Sequence, residues 1–257
     1  MSFIQLGEVM TRIKCIVSYD GSLFNGYQRQ PGQRTVQGEL EKVLSMINKT
    51  EIQIHASGRT DAGVHAYGQV FHFDSQVNMT ASQYVKAING MIVEDIYIVS
   101  AEEVHDEFHS RLYAKKKEYH YKLSTNQYAP VRRLYTYFHP RPLDVDKMKE
   151  AMDYLVGTHD FTSFCGRVDK LDKVRTIYET QLINDAGDLT FIFKGSGFLR
   201  YQIRIMMGTL IEIGEGKKQP EDIKVILKKR DRHAAGYTAK PEGLYLQEVT
   251  YNEDYSY

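Results

Sequence analysis

Residues 58–66 read Gly-Arg-Thr-Asp-Ala-Gly-Val-His-Ala, so that two glycines bracket a single carboxylate, Asp61, with Arg59 two residues before it. The segments on either side, 51–55 and 69–73, alternate polar and apolar residues, which is typical of half-buried strands. The nonapeptide is therefore predicted to be a loop between two strands. Its glycines stand where the backbone needs a positive φ or where a ligand must come close.

The residues alone leave two roles open for Asp61. A carboxylate held on a loop by a rigid scaffold is well placed to take part in chemistry. Aspartate also commonly hydrogen-bonds the backbone of its own turn, so a purely structural role is the alternative.

The sequence around this loop predicts the elements of a first half. Residues 13–19 alternate like a strand, and 35–47 place apolar residues on one helical face behind Thr35, a residue type favoured at N-caps. A second helix is predicted over 82–88, and a strand over 97–104 closes this half.

The rest of the chain predicts a second half with a similar alternation. Its predicted strands are 117–123, 135–139, 175–182, 189–194 and 244–250, and its predicted helices are 145–156, 199–213 and 220–229.

This order predicts an α/β (α+β) chain made of two related halves. We place the N-terminal half, which carries the Asp61 loop, at residues 1–108 and the C-terminal half at residues 109–257.

Composition narrows the class of protein. Of the 257 residues 42% are hydrophobic, which is enough for a packed core and excludes a disordered chain. The 33 basic and 33 acidic side chains cancel, which counts against nucleic acid as a partner, although local basic clusters such as 115–117 and 228–232 would be enough to bind phosphates.

Cysteine and histidine usage gives no reason to expect a metal or a disulfide. Two cysteines, Cys15 and Cys165, are too few to indicate a zinc site or a set of disulfides. His105 and His109 have the spacing of zinc proteases, but the glutamate needed directly after the first histidine is missing. We expect no metal, nucleotide or flavin cofactor. The sequence shows neither a signal-peptide pattern nor a long apolar run, so we expect a cytoplasmic protein with no membrane partner.

Residues 58–65 resemble the signature of the TruA family of pseudouridine synthases, and further blocks follow in the family's order. Any one block is a weak match, but the ordered set extends from Arg12 to Tyr251 and is highly specific. These blocks are 19–21, 24–30, 35–37, 108–111, 117–121, 160–164, 197–199 with Arg204, and 242–246.

The resemblance implies a fold, an activity and partners. The fold is the pseudouridine synthase fold, in which two α/β halves join mainly antiparallel sheets around a central RNA-binding cleft. The activity is isomerisation of uridine to pseudouridine in structured RNA, in this family usually the anticodon stem-loop of tRNA. The enzyme would act without a cofactor, as a homodimer whose two subunits share each tRNA.

The resemblance also implies roles for three residues. Asp61 would be the catalytic carboxylate, as nucleophile, electrostatic stabiliser or base, and Arg204 the cation that keeps it ionised. Tyr119 would lie against the target uracil. Arg59 is close enough in sequence to Asp61 to fill the place that a flipped nucleotide leaves, or to hold its phosphate. From the residues alone, Arg204 could instead be a surface residue of its helix, and Arg59 could form a salt bridge that fixes the loop.

Residues 200–202, Arg-Tyr-Gln, depart from the family's usual sequence beside Arg204. The departure leaves the choice of RNA open, so a related synthase acting on ribosomal RNA is one alternative. An RNA-binding module of the same fold without turnover is another.

Overall fold

The computed structural model describes residues 10–166 and 172–252, and in these ranges ten strands belong to one continuous sheet. The strands are β1 Thr11–Tyr19, β2 His55–Ala56, β3 His65–Ser75, β4 Ile96–Val104, β5 Lys116–Ser124, β6 Tyr137–Phe138, β7 Gly157–Asp160, β8 Val174–Asp185, β9 Asp188–Gly195 and β10 Leu244–Thr250. The helices are α1 Val36–Asn48, α2 Ala81–Asn89, α3 Val145–Asp153, α4 Gln202–Gly214 and α5 Asp222–Lys229.

The sheet follows the order β4-β1-β3-β10-β5-β9-β8-β7, with β2 beside β3 and β6 beside β5. Its ladders are antiparallel except for β3–β10 and β5–β6, which are parallel. The predicted mixed fold with a mainly antiparallel sheet is therefore confirmed. The C-terminal strand β10 lies between β3 and β5, and so connects the strands of the first half with those of the second.

Helix α1 shows how local sequence produces the predicted element. The Thr35 side chain accepts a hydrogen bond from the Gly38 amide, which satisfies one of the amides left free at a helix start. Val36, Leu40 and Leu44 recur on one face and are buried in the core. The predicted N-cap and buried face are both confirmed.

The strand predicted over residues 51–55 is wrong, because only His55 and Ala56 pair with β3. Side chains of α1 accept hydrogen bonds from backbone amides that would otherwise donate to a neighbouring strand. The Ile52 amide donates to the Ser45 hydroxyl at 2.9 Å, and the Ile54 amide donates to the Glu41 carboxylate at 3.2 Å. The loop that follows is also shorter than predicted, since β3 already begins at His65.

Smaller differences occur in the second half. Pro220 precedes α5 rather than occupying its first turn, since the helix begins at Asp222. Helix α3 ends at Asp153 rather than at residue 156 as predicted, and Val156 is exposed. Strand β7 has no counterpart among the predicted strands because its four residues are too few to show an alternation.

Helix α4 is buried on nearly all sides, which fits its largely apolar sequence. It begins at Gln202, close to the Asp61 loop, and runs into the core of the second half. A Cβ at Gly208 would lie 1.8 Å from the Tyr237 carbonyl oxygen, so this glycine lets the segment before β10 cross the helix in direct contact.

Candidate active site

The loop from Ser57 to Val64 connects β2 to β3 and ends where β3 meets β10. The segment after β1 supports it from one side. The Tyr27 amide donates to the Thr60 carbonyl at 3.1 Å, and the Tyr19 hydroxyl lies 2.8 Å from the Thr60 hydroxyl. Both contacts hold the residue directly before Asp61, so the position of the carboxylate is fixed by the core.

Gly21 allows the same segment to approach the end of the loop. A Cβ built at position 21 would lie 2.0 Å from the carbonyl oxygen of Val64. That oxygen belongs to the backbone and cannot rotate away, so only glycine fits here without displacing the loop.

Replacing Gly21 with alanine should therefore destabilise the protein. Overpacking of this kind costs about 1–3 kcal/mol, and each kcal/mol lowers the melting temperature of a chain this long by roughly 2–4 °C. Thermal unfolding followed by circular dichroism would measure the loss. Gly197→Ala is the matched control, because nothing lies within 4 Å of a Cβ at that position. Equal melting temperatures for the two variants would contradict the close packing at Gly21.

Asp61 and Arg204 meet across 143 residues of sequence. The Arg204 Nη1 lies 3.3 Å from the Asp61 Oδ2. The exposed fraction of the side chain is 14% for Arg204 and 20% for Asp61. In the part of the chain that the structure describes, the Asp61 carboxylate forms no hydrogen bond with its own turn. The geometry favours the functional interpretation of Asp61 over the purely structural one.

Burial and charge act on Asp61 in opposite directions. Burial raises the pKa of the Asp61 carboxyl above its ordinary value, while the charge and hydrogen bond of Arg204, and the charge of Arg200, oppose that rise. Burial is the larger effect. The two arginines therefore favour the ionised form of the carboxylate, whereas burial favours the protonated form.

Arg204 is held in place by the segment before β10. Its Nε donates to the Ala239 carbonyl at 2.7 Å, and the Ala239 amide donates back to the Arg204 carbonyl at 2.9 Å. The guanidinium also lies 5.3 Å from the centre of the Tyr201 ring. These contacts point the side chain into the site rather than along the surface of α4.

Tyr119 lies on β5 at the join between the halves. Leu246 of β10 pairs with Tyr119 on one side and with Ala66 of β3 on the other, so the three residues form one row across the sheet. The Tyr119 ring packs edge-on against Phe198 with centroids 5.3 Å apart. Burial, with smaller contributions from Tyr19 and Asp61, raises the pKa of the Tyr119 phenol. The phenol therefore stays protonated at neutral pH.

Arg59 is exposed at the rim of the loop, two residues from Asp61. Among residues 10–166 and 172–252 it has no ion-pair or hydrogen-bond partner, so the salt bridge that could have fixed the loop is absent there. Its guanidinium is available to an incoming ligand.

Two residues support the loop in a way that the sequence did not indicate, since Lys117 was noted only as part of the basic cluster 115–117 and Gln69 only as part of a strand. The Gln69 amide donates to the Gly58 carbonyl at 3.0 Å, and the Lys117 ammonium donates to the Ser57 carbonyl at 2.7 Å. The spacing between Lys117 and Tyr119 could have indicated that Lys117 lies near the site. It stands two residues before Tyr119 on the same strand, and alternation directs both side chains to one face.

Among the described residues, no group of three or more His, Cys, Asp or Glu side chains could hold a metal ion. Within the same ranges, no helix combines the length and the apolar content needed to cross a membrane.

Comparison with known proteins links this geometry to a family. A family model described as tRNA pseudouridine synthase matches residues 15–112 and 151–252. The chain is 50% identical over 246 residues to the tRNA pseudouridine synthase A of Geobacillus kaustophilus (strain HTA426), with 95% of each chain covered. It is 47% identical over 245 residues to tRNA pseudouridine synthase A of Anoxybacillus flavithermus (strain DSM 21510 / WK1), which covers 95% of this chain and 100% of the relative. It is also 49% identical over 245 residues to the tRNA pseudouridine synthase A of Exiguobacterium sp. (strain ATCC BAA-1283 / AT1b), which covers 95% of this chain and 99% of the relative.

Proposed function

The chain belongs to the tRNA pseudouridine synthase family, and from that membership we propose that it isomerises uridines in the anticodon stem-loop of tRNA with Asp61 as the catalytic carboxylate. The observation that carries the proposal is the partly buried pair of Asp61 and Arg204 at the join between β3, β10 and β5. A carboxylate kept ionised in a protected cleft suits a reaction in which positive charge develops on a sugar.

The reaction rearranges the substrate without adding or removing atoms. The bond between ribose C1′ and uracil N1 breaks, the uracil turns, and C5 bonds to C1′. The C5 proton then leaves, and N1 gains a proton. Asp61 can bond to the sugar, stabilise its charge or remove a ribose proton, and each of these roles needs the ionised carboxylate.

The remaining site residues have distinct tasks in this proposal. Tyr119 forms the floor on which the uracil lies, and its phenol can relay the C5 proton only by accepting it at oxygen while giving its own proton to another acceptor, since it stays protonated at neutral pH. Arg59, exposed and unpaired among the described residues, fills the space that the flipped nucleotide leaves or binds its phosphate. Arg204 holds Asp61 ionised.

The proposal also covers organisation and partners. Asp61 belongs to the half at residues 1–108, while Tyr119 and Arg204 belong to the half at residues 109–257, so neither half would be active alone. We propose a homodimer that binds tRNA, acting where tRNA is found, in the cytoplasm. Recognition by the shape of a stem-loop would let one enzyme serve tRNAs of different sequence.

Mapping of pseudouridine in total RNA, with and without the gene, tests the substrate. We expect pseudouridines to disappear from the anticodon stem-loop of several tRNAs and to return when the gene is restored. Loss of a ribosomal RNA site with all tRNA sites intact would contradict the tRNA assignment and leave the chemistry standing. With purified protein, RNA that is bound but never modified would instead support a binding module.

A further inference from the structure

We propose that Lys117 is a positioning residue for the isomerisation, whose ammonium group fixes the start of the catalytic loop through the Ser57 carbonyl. The inference rests on the proposed function and adds a residue to it. Lys117 Nζ donates to the Ser57 oxygen at 2.7 Å, four residues before Asp61 and two before Arg59. One strand, β5, thus supplies both the floor under the uracil, Tyr119, and a support for the carboxylate loop.

The surroundings of Lys117 distinguish it from a surface lysine. No carboxylate of the described residues forms an ion pair with its ammonium, and the charged groups that act on it are the cations Arg111 and Arg175. Burial, with these two arginines, lowers the pKa of Lys117 to about 8. A cation held there without a counter-charge is costly, so its hydrogen bond to the loop is a specific contact rather than a chance one.

Gly58 shows how closely the ammonium is fitted to the loop. A Cβ at position 58 would lie 2.7 Å from Lys117 Nζ, and the backbone there does not have a positive φ. An alanine can therefore adopt this conformation, but it would push the ammonium away from the Ser57 carbonyl. Gly58→Ala displaces the Lys117 contact while leaving the charge in the protein.

Two substitutions should therefore have the same effect by different routes. Lys117→Met removes the charge and the donor, and Gly58→Ala displaces both. Misplacing a reacting group by about 1 Å can cost 10²-fold in rate, so we expect each variant to lower the single-turnover rate at saturating tRNA by about 10- to 100-fold. The double variant should be no slower than Lys117→Met, because the two changes disrupt one contact.

The ionisation of Lys117 should change the pH dependence of kcat/KM, which a purely structural role of this side chain would leave unchanged. Hydrogen bonds from a charged donor are about twice as strong as neutral ones. As pH rises through about 8, the Lys117 ammonium of the free enzyme loses its proton and its bond to the Ser57 carbonyl weakens. The wild-type kcat/KM should therefore decline over that range. That decline should be absent from Lys117→Met. Lys86→Met is the matched control for losing one positive charge, since Lys86 is an exposed residue of α2, which packs on β4 and α1 rather than on β5.

The measurements are single-turnover rates, tRNA affinity at several salt concentrations, and kcat/KM between pH 6 and 9.5, with melting temperatures as the check on folding. Affinity of Lys117→Met should stay within about threefold of wild type. A wild-type rate for this variant would overturn the proposal. So would an unchanged rate with weaker binding and a salt slope reduced by about one, which is the result for a phosphate contact. Wild-type protein that forms no pseudouridine in tRNA would instead refute the function on which the proposal rests.

Discussion

Asp61→Asn should abolish pseudouridine formation while leaving tRNA binding nearly intact. Asparagine has the same shape and can still accept a hydrogen bond from Arg204, but it carries no charge to stabilise or trap the sugar. Loss of a group that acts on the transition state costs at least about 10³-fold when chemistry depends on it directly. Phosphate contacts supply most of the affinity for RNA, so the dissociation constant should change by less than about threefold.

Single-turnover assays and tRNA binding measured side by side would check this result. Asp74→Asn is the matched control, because Asp74 also pairs with an arginine, Arg12 at 2.6 Å, but at the far end of β3. The control variant should turn over at the wild-type rate. Product formed by Asp61→Asn at a rate near that of wild type would remove Asp61 from the mechanism.

Local patterns predicted the elements that depend on neighbouring residues. The capped start of α1 follows from Thr35 and its apolar spacing, and β1, β4, β5 and β9 follow from alternation. The incorrect strand prediction over residues 51–55 shows where such patterns stop being sufficient. The polar and apolar residues do alternate there, but side chains of α1 accept the hydrogen bonds of the backbone amides. A pattern read from neighbouring residues does not include these competing contacts.

The site depends on contacts that no local pattern contains. Strand β10 lies between β3 and β5, parallel to β3 and antiparallel to β5, and brings Ala66, Leu246 and Tyr119 into one row although they come from three distant segments. From the residues of its helix alone, Arg204 was expected at the surface, and only the family resemblance indicated that it is a site residue. The structure supplies the reason for its orientation, which is the two-way hydrogen bonding with Ala239.

Arg204→Ala should have the second largest effect, a fall in turnover of about 10²-fold, and it should also change the pH dependence. Burial raises the pKa of Asp61, and Arg204 gives the largest opposing contribution. Without the guanidinium only the weaker effect of Arg200 remains, so the pKa rises further. The reaction needs the ionised carboxylate, and activity is lost as pH falls through that pKa. The acid limb of kcat/KM should therefore move to higher pH in this variant.

Arg204→Lys separates the charge of this residue from its geometry. A lysine keeps a positive charge near Asp61, so the acid limb should stay close to that of wild type. Its single ammonium cannot hold the Ala239 carbonyl and the carboxylate in the same fork, so the maximal rate should still fall. Full kcat/KM profiles of both variants and wild type would measure the two effects. An acid limb that stays in place in Arg204→Ala would show that Asp61 does not depend on this arginine for its charge, and would leave Arg204 with a role in orientation alone.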